Sequence, residues 1–483
     1  MPISIMLFRI MKFIDRQDEL ARLDRLATAE DGGLAVVYGR RRVGKTRLLL
    51  EWAKKHRGLY TVADQSVAEL QRRYFAEALE EFLPGFAEVE YRDWRSLLAR
   101  VAREAQSAGW RGPLIFDEFP YLVLASPELP SVLQRWIDHE ARTARLKIAI
   151  AGSSQRMMQG FVLSAEAPLF GRAKTVLEIQ PLPAAYLHEV FDVGDGVPWA
   201  ELYTAWGGIP RYWELAAEAG GSVSRQIDDL VLDPLGPLHR EPDRLLLEEI
   251  PSALETRPLL DAIGAGAHRV SEIAGRLGRP ATSMARPLDR LLNLGLVRRE
   301  LPFGEDEKSS KRALYKIADP FFRLWFRVVA PHRAQLASGT PASRRQHLAR
   351  NWQSLCAQGW EDLCRQQVPR LPARRSPGRS GPWGPASRWW HGVQPEWDLV
   401  SESLDGERVL LGEVKWSRRP FDRRALERAL QELTARPAPP LPPRLAGAQL
   451  MRALFVPEIA KPGIAAKELK KAVVITASDL LGG

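Results

Sequence analysis

At 483 residues the chain is too long for a single hydrophobic core and is expected to fold as two to four domains. Its two cysteines exclude a disulfide framework or a zinc site of their own, and no apolar run is long enough to span a bilayer. A formal net charge of +10, with a pI near 9.7, favours polyanionic partners, leaving nucleic acid and a membrane surface both open.

The opening residues 1–12, MPISIMLFRIMK, are briefly apolar, lack a small-residue cleavage site and read as an extension before a later start at Met11. From Leu34 to Tyr38 the run LAVVY reads as a buried strand. It leads straight into Gly39-Arg40-Arg41-Arg42-Val43-Gly44-Lys45-Thr46 and, from Arg47, into the helical pattern LLLEWAKK. Strand, glycine-rich loop and helix in that order are the context of a phosphate-binding P-loop. Gly39 and Gly44 let backbone N–H groups wrap phosphates, and the helix N-terminus adds partial positive charge. Lys45 is expected on the β- and γ-phosphates of ATP, and the Thr46 hydroxyl on Mg2+.

Pro113-Leu-Ile-Phe-Asp-Glu118 is a second apolar strand, closed by two acids. Standing alone such acids read as a turn or helix cap. Beside a P-loop, Asp117 is suited to hold magnesium through water and Glu118 to polarise the attacking water. Lys147-Ile-Ala-Ile-Ala-Gly-Ser-Ser154 is another buried strand, ending in hydroxyl residues. Strands near 34–38, 58–63, 113–117, 147–152 and 175–180 alternate with helical stretches, which predicts an α/β fold with a parallel sheet covered on both faces. Residues 184–250 read as helical.

Together these motifs resemble the archaeal-type ATPases, a branch of the AAA+ and STAND-like P-loop NTPases, over nearly the whole chain from Phe13. The resemblance implies an ATPase core at 13–183 and a helical lid at 184–250. It puts Ser153 or Ser154 at the sensor position beside the γ-phosphate, and Arg172, in Phe170-Gly-Arg172, at the family's arginine position, in cis or in trans. Gly207-Gly-Ile-Pro210 matches the lid motif, and Phe13–Leu20 the adenine-side box. From the residues alone, Arg172 reads equally well as a surface arginine, and the Gly207-Gly208 pair as a tight turn.

Residues 255–320 carry a different pattern. Short amphipathic helices at 258–263 and 270–277, a third at about 283–294, and strands at 296–301 and 312–317 make a winged helix-turn-helix. Arg279, Arg286, Arg290, Arg298, Arg299, Lys308 and Arg312 are candidate phosphate contacts; the other reading packs this module on its neighbours. Pro287 lies inside the third helix, tolerable at the fourth helical position if Ser283 is the N-cap. A helical connector is expected at 321–350. Cys356 and Cys364, eight residues apart, belong on a helix as buried thiols.

Near the C-terminus, Asp405-Gly406 signals a two-residue hairpin in which Leu404 pairs with Glu407. Counting outward, Asp398 falls opposite Glu413 and Glu396 opposite Lys415, all on one face with Val400, Val409 and Leu411. Carboxylates about 5 Å apart across a strand pair repel, so a sheet has no folding need for them; a hard divalent cation between them reverses the sign. The alternative is a solvated hairpin with scattered charges. Glu413-Val-Lys415 after an aspartate is the PD-(D/E)XK nuclease pattern, and the family resemblance places such a restriction-endonuclease-like domain at 351–483. The resemblance implies Asp398, Glu413 and Glu361 as ligands of Mg2+ or Mn2+, and Lys415 as the group orienting the attacking water. The Pro/Gly/Ser/Arg-rich stretch 369–388 reads as a loop, with Trp389 and Trp390 packed beneath it.

The expectation is a cytoplasmic, ATP-driven switch, coupled to a DNA-directed and possibly nucleolytic C-terminal domain, with no membrane partner and with a homo-oligomer or protein partner open. The alternative is a regulatory ATPase that binds DNA or protein without cutting.

Overall fold

The computed structural model describes residues 13–153, 155–194, 196–249, 253–306, 312–371, 381–392, 394–460 and 472–481. The 1–12 extension, Ser154, Lys308 and residues 372–380 of the loop at 369–388 therefore lie outside the described residues. The chain divides into two compact units, Met1–Leu182 with Ile209–Arg211, and Pro183–Gly208 with Tyr212–Gly483.

The first unit is built on five parallel strands: β1 (Gly33–Tyr38), β2 (Leu59–Val62), β3 (Leu114–Asp117), β4 (Lys147–Gly152) and β5 (Ala173–Glu178), in the order β2-β3-β4-β1-β5. Every residue of β3 and β4 is buried, as is the interior of β1, so these strands are near-continuous apolar runs. The edge strands β2 and β5 are only partly buried. Helices Ala68–Leu79 and Trp94–Ala108 cover the sheet through Phe75, Leu97, Leu98 and Val101, which join Leu34, Val36, Phe116 and Ile150 in one core. Helix Trp94–Ala108 starts where Asp93 accepts the Ser96 N–H at 2.7 Å, and stops at Gly109 with φ 67°. The strand order sets the tips of β3, β4 and β1 side by side, which is where the site is built.

In the second unit, helices recur between residues 184 and 249 as expected, and helix Val197–Trp206 is buried at every residue but Pro198. Helices Ala253–Gly264, Val270–Leu277 and Ala285–Asn293 then precede an antiparallel pair, β6 (Val297–Glu300) and β7 (Leu314–Ile317). Ser283 does not cap the third helix. It lies in a 3-10 turn, Ala281–Met284, with its hydroxyl on Pro280 O, and the α-helix opens at Ala285. Pro287 thus falls in the first turn, where its missing N–H has no helical acceptor to lose.

The helix Pro341–Gln367, capped by Thr340, carries Cys356 and Cys364, both buried. It is followed by β8 (Ser387–Trp389), β9 (Trp397–Glu402), β10 (Arg408–Val414), β11 (Gln449–Phe455) and β12 (Val473–Ile475) in the order β12-β11-β10-β9-β8. β8, β9 and β10 form an antiparallel meander, whereas β11 runs parallel to β10 after the helix Arg423–Ala435. Trp389 and Trp390 are buried.

Arg298, expected as a phosphate contact, is instead spent internally. It donates to Asp362 at 2.6 Å and pairs with Glu300 at 2.8 Å. Asp362, on the long helix, also accepts from Arg323 and Arg365, and Glu300 pairs with Lys316 at 2.8 Å. Burial opposes ionisation of Glu300, but Arg298 and Lys316 outweigh it and hold the carboxyl at about 2. Because the folded value lies below the unfolded one, this stabilisation is present above pH 4.5 and is lost as pH falls towards 2. Glu300→Gln is expected to cost about 3 kcal/mol at neutral pH, with the difference from wild type vanishing in acid; urea unfolding across that pH range measures it.

Candidate functional site

The P-loop turns where the sequence places its glycines. Gly39 has φ 142° and Gly44 φ 100°, conformations that side chains rarely adopt. Arg42, between them, is also left-handed at φ 68°. Val43 is fully buried, and its carbonyl accepts from Arg16 Nη2 at 3.0 Å. Arg16 also donates to Gln180 O, so the segment matching the adenine-side box anchors the loop from below. Helix Lys45–His56 begins at Gly44 with no side-chain cap, which leaves its first N–H groups directed at the loop.

Lys45 is 6% exposed, and its ammonium donates to the carbonyls of Gly39 at 2.8 Å and Arg40 at 3.1 Å. Arg41 donates to the Tyr121 hydroxyl at 3.0 Å, and Arg47 pairs with Glu51 one turn along the helix at 2.8 Å.

The P-loop helix meets the tip of β3 at Asp117, which is 1% exposed. Its Oδ2 accepts from Thr46 Oγ1 at 2.8 Å and from the Tyr60 hydroxyl at 2.7 Å, while Oδ1 accepts the Glu118 N–H at 2.9 Å. Burial and the adjacent Asp117 carboxylate push the Tyr60 phenol well above its ordinary pKa, so it remains a donor. Glu118 sits at φ 50°, ψ 41°, left-handed for a residue with a side chain, and its Oε2 accepts from Ser153 Oγ at 3.0 Å. Lys45, Thr46, Asp117, Glu118 and Ser153 are thereby brought together. Arg172 is not among their partners: it pairs with Asp138 at 3.1 Å and donates to the carbonyls of Pro168 and Phe170.

Tyr60 and Tyr121 escaped the sequence reading. Neither lies in a motif, and the position of β2 beside β3 that brings Tyr60 to Asp117 is set by strand order alone. Arg16 lies in the Phe13–Leu20 segment, but its hold on the loop was not foreseen.

A second cluster of acids occupies the other unit. The expected register holds, with Leu411 opposite Val400 and Gly412 opposite Leu399, which carries Asp398 to Glu413. The hairpin loop differs from expectation. Leu404 and Glu407 do not pair; residues 404–407 form a four-residue loop closed by Ser403 N–H to Arg408 O at 2.9 Å. Asp405 holds it by accepting from the Glu407 N–H and Ser403 Oγ, and Gly406 supplies φ 74°. Two residues fewer in the ladder leave the register unchanged. The rung of Glu396 and Lys415 is absent, since β9 begins at Trp397 and β10 ends at Val414; Glu396 turns to Arg388 instead, at 2.9 Å.

Asp398 Oδ2 accepts the Val414 N–H at 3.0 Å. Burial, with Glu361 and Glu413 nearby, pushes its carboxyl up to about 6. Glu413, 6% exposed, pairs with Lys415 Nζ at 2.9 Å through one oxygen and with Arg436 through the other. Glu361 faces Arg365 at 3.4 Å, and Arg365 also donates to Asp398 O at 3.0 Å. The donors are hard oxygens, but the cations engage both oxygens of Glu413. Among the described residues no group of three or more His, Cys, Asp or Glu is arranged to hold a metal ion. Glu361 and Glu413 do lie near Asp398, but binding of a metal by these three acids is not shown.

With this geometry the comparisons with known proteins agree. Residues 13–215 match the family described as an ATPase domain predominantly from Archaea. The chain carries an archaeal-type P-loop ATPase domain. Residues 325–429 match a family described as archaeal and bacterial proteins of unknown function. An uncharacterised protein of Methanocaldococcus jannaschii, MJECL04, is 27% identical over 414 residues, 84% of this chain and 87% of the relative. The Walker-type ATPase PABY2304 of Pyrococcus abyssi superposes with a TM-score of 0.51 at 20% identity, over 65% of this chain and 96% of its own, a likeness of fold. The Aeropyrum pernix ORC2 protein gives a TM-score of 0.40 at 14% identity, over 70% of this chain and 96% of its own. No helix among the described residues is long and apolar enough to cross a membrane.

The loop's glycines can be told apart by substitution. A Cβ at Gly39 would meet Ile179 O at 2.6 Å, while one at Gly44 finds only Pro210 Cγ at 3.7 Å. Both substitutions carry the strain of positive φ, about 1–3 kcal/mol, but Gly39→Ala is expected to be clearly the more destabilising in thermal melts.

Proposed function

We propose that this protein is a magnesium-dependent ATP hydrolase, working as a nucleotide switch coupled to a DNA-directed C-terminal domain. The observation that carries the reading is the Thr46–Asp117 hydrogen bond at 2.8 Å, which joins the P-loop helix to the end of β3. It pairs a hydroxyl and a carboxylate, hard oxygens of the kind magnesium takes, beside the uncapped helix N-terminus and Lys45. The residues fit the ion: Thr46 and Asp117 would hold it, directly and through water. Magnesium bound with the nucleotide supplies neutralisation of the charge that develops on the phosphate oxygens.

The chain's own groups then have separate tasks. Gly39, Gly44 and the N–H groups of residues 40–47 wrap the phosphates, and Lys45 exchanges its two carbonyl acceptors for phosphate oxygens. Glu118 accepts the proton of the attacking water, and its hydrogen bond to Ser153 keeps the carboxylate oriented. Arg172 is a candidate charge donor only after leaving Asp138.

Coupling to the remainder is supported within the second unit. Glu201, on helix Val197–Trp206, accepts from Trp352 of the long helix at 3.1 Å and pairs with Arg418, three residues after Lys415, at 2.9 Å. Movement of the 184–249 helices, read as the lid, would therefore be carried to the acidic hairpin. We read 255–320 as a winged helix, with Arg279, Arg286 and Arg290 exposed for DNA, and 351–483 as a PD-(D/E)XK-like domain.

A second reading, a regulatory ATPase that binds DNA or protein without cutting, is favoured by one observation: Lys415 and Arg436 neutralise Glu413. Incubating plasmid with the protein, ATP, and Mg2+ or Mn2+ separates the two. Cleavage abolished by Lys415→Ala supports the nuclease; intact plasmid with ATP turnover supports the regulator. In either case Lys45→Ala and Glu118→Gln are expected to lower kcat for ATP by at least a hundredfold, and Glu118→Gln is expected still to bind nucleotide. An unaffected rate in both variants would remove the assignment.

Tyr60 supplies a finer check. Its hydrogen bond to a buried carboxylate contributes about 1.5–3 kcal/mol. Tyr60→Phe is expected to raise the magnesium concentration giving half-maximal turnover about tenfold or more, leaving affinity for metal-free ATP unchanged in calorimetry.

A further inference from the structure

Helix Arg423–Ala435 packs through Leu426, Ala429 and Leu433 onto a core that includes Val400, Val409, Leu411 and Leu454 of the sheet. Residues four apart on a helix lie in one row, and one such row here is Arg424, Arg428, Glu432 and, at the C-cap, Arg436. The far end of the row shows what it leads to. Glu432 lies 3.8 Å from Lys415 Nζ, and Arg436 pairs with Glu413. Arg428 and Arg424 continue the row away from the acids in steps of about 6 Å. Both are exposed and neither has an acidic partner among the described residues, whereas the neighbouring Arg423 is paired with Glu427 at 2.8 Å. Like charges on adjacent turns oppose helix formation by about 0.2–0.5 kcal/mol, so folding does not ask for this pair.

We propose that the Arg424–Arg428 face of this helix docks the sugar–phosphate backbone of DNA and leads one strand towards Asp398, Glu413 and Lys415. Successive phosphates can meet successive helical turns, each taking a guanidinium fork. An acidic protein is the less suitable occupant. Protein interfaces are centred on buried apolar or aromatic anchors, and none of the exposed large apolar side chains of this protein lies on this helix. The inference rests on the reading of the C-terminal domain as DNA-directed, and names the surface that performs it.

The test is fluorescence anisotropy of a labelled DNA duplex with the full-length protein across a salt series. Replacing both arginines, Arg424→Ala with Arg428→Ala, should weaken binding about tenfold at moderate salt and reduce the slope of log K against log salt by about two. Arg424→Lys with Arg428→Lys should keep most of the slope, and Arg423→Ala should change it less. Circular dichroism and the thermal midpoint of each variant exclude misfolding as the cause of a loss. Wild-type protein that ignores the duplex overturns the DNA-directed reading and this inference with it. Wild-type binding with the slope unchanged in the double alanine variant overturns this inference alone. If polyglutamate binds as well as DNA and is lost in the same variant, the face belongs to an acidic protein and the proposal also falls.

Discussion

A carboxylate with 1% exposure at the end of a buried strand is tolerable only if donors surround it, and the donors of Asp117 come from three places in the chain. The Thr46 hydroxyl comes from the helix after β1, the Tyr60 hydroxyl from β2, and the third donor is the backbone N–H of Glu118. This convergence exists because the sheet order puts β2 and β3 side by side and leaves only β4 between β3 and β1. Satisfying Asp117 also turns the Glu118 backbone into a left-handed conformation. That local cost, of order 1–3 kcal/mol, is what aims the side chain at Ser153 on the tip of β4. The P-loop helix, the acid pair and the hydroxyl are thus one hydrogen-bonded assembly rather than motifs that happen to be near.

The second unit handles two acids in opposite ways, Asp362 on the long helix and Asp398 on β9. Asp362 meets three guanidinium groups, from Arg298, Arg323 and Arg365, and despite burial its carboxyl is held well below the usual range. Asp398, near the adjacent Glu361, receives one backbone N–H and has two carboxylates close by, so its carboxyl is pushed up to about 6. The first arrangement joins β6 to the long helix and reads as architecture. The second leaves an acid poised between charge states, an arrangement that packing alone does not call for. Arg365 touches both, donating to Asp362 at 2.7 Å and to Asp398 O at 3.0 Å, so the structural cluster also braces the acidic one.

What was legible in the sequence is what depends on local pattern. The strands β1, β3 and β4 announce themselves as unbroken apolar runs, and the polar residues that follow them stand out, so Lys45, Thr46, Asp117 and Glu118 could be named as candidates from the chain alone. The β9–β10 register was equally accessible, because a two-residue loop and a four-residue loop about the same centre pair the same residues. Hidden were the partners supplied by tertiary neighbours. Tyr60 is an ordinary strand residue until β2 lies beside β3, and Arg436 a helix-terminal arginine until the helix Arg423–Ala435 folds back on the sheet. Ser283 misled for a related reason: its hydroxyl found Pro280 O, a local competitor that N-cap patterns do not weigh.

The net charge of +10 deserves to be divided in the same way. A basic composition argues for polyanion binding only through arginines that remain exposed, and many here do not. Arg298, Arg323, Arg365 and Lys316 are committed to Asp362 and Glu300, Arg16 to backbone carbonyls, and Arg172 to Asp138. Sequence counts therefore overstate the basic face of residues 255–320, which loses Arg298 to the interior and Arg312 to Glu305. They understate the helix after the acidic hairpin, whose Arg424 and Arg428 have no such commitments among the described residues. A desolvated guanidinium that already satisfies a carboxylate gains little by meeting a phosphate, because it must first break that pair. An exposed, unpaired one releases counterions on contact and loses only water. Partner surfaces in a basic protein are accordingly located by subtracting its ion pairs, and not by counting its arginines.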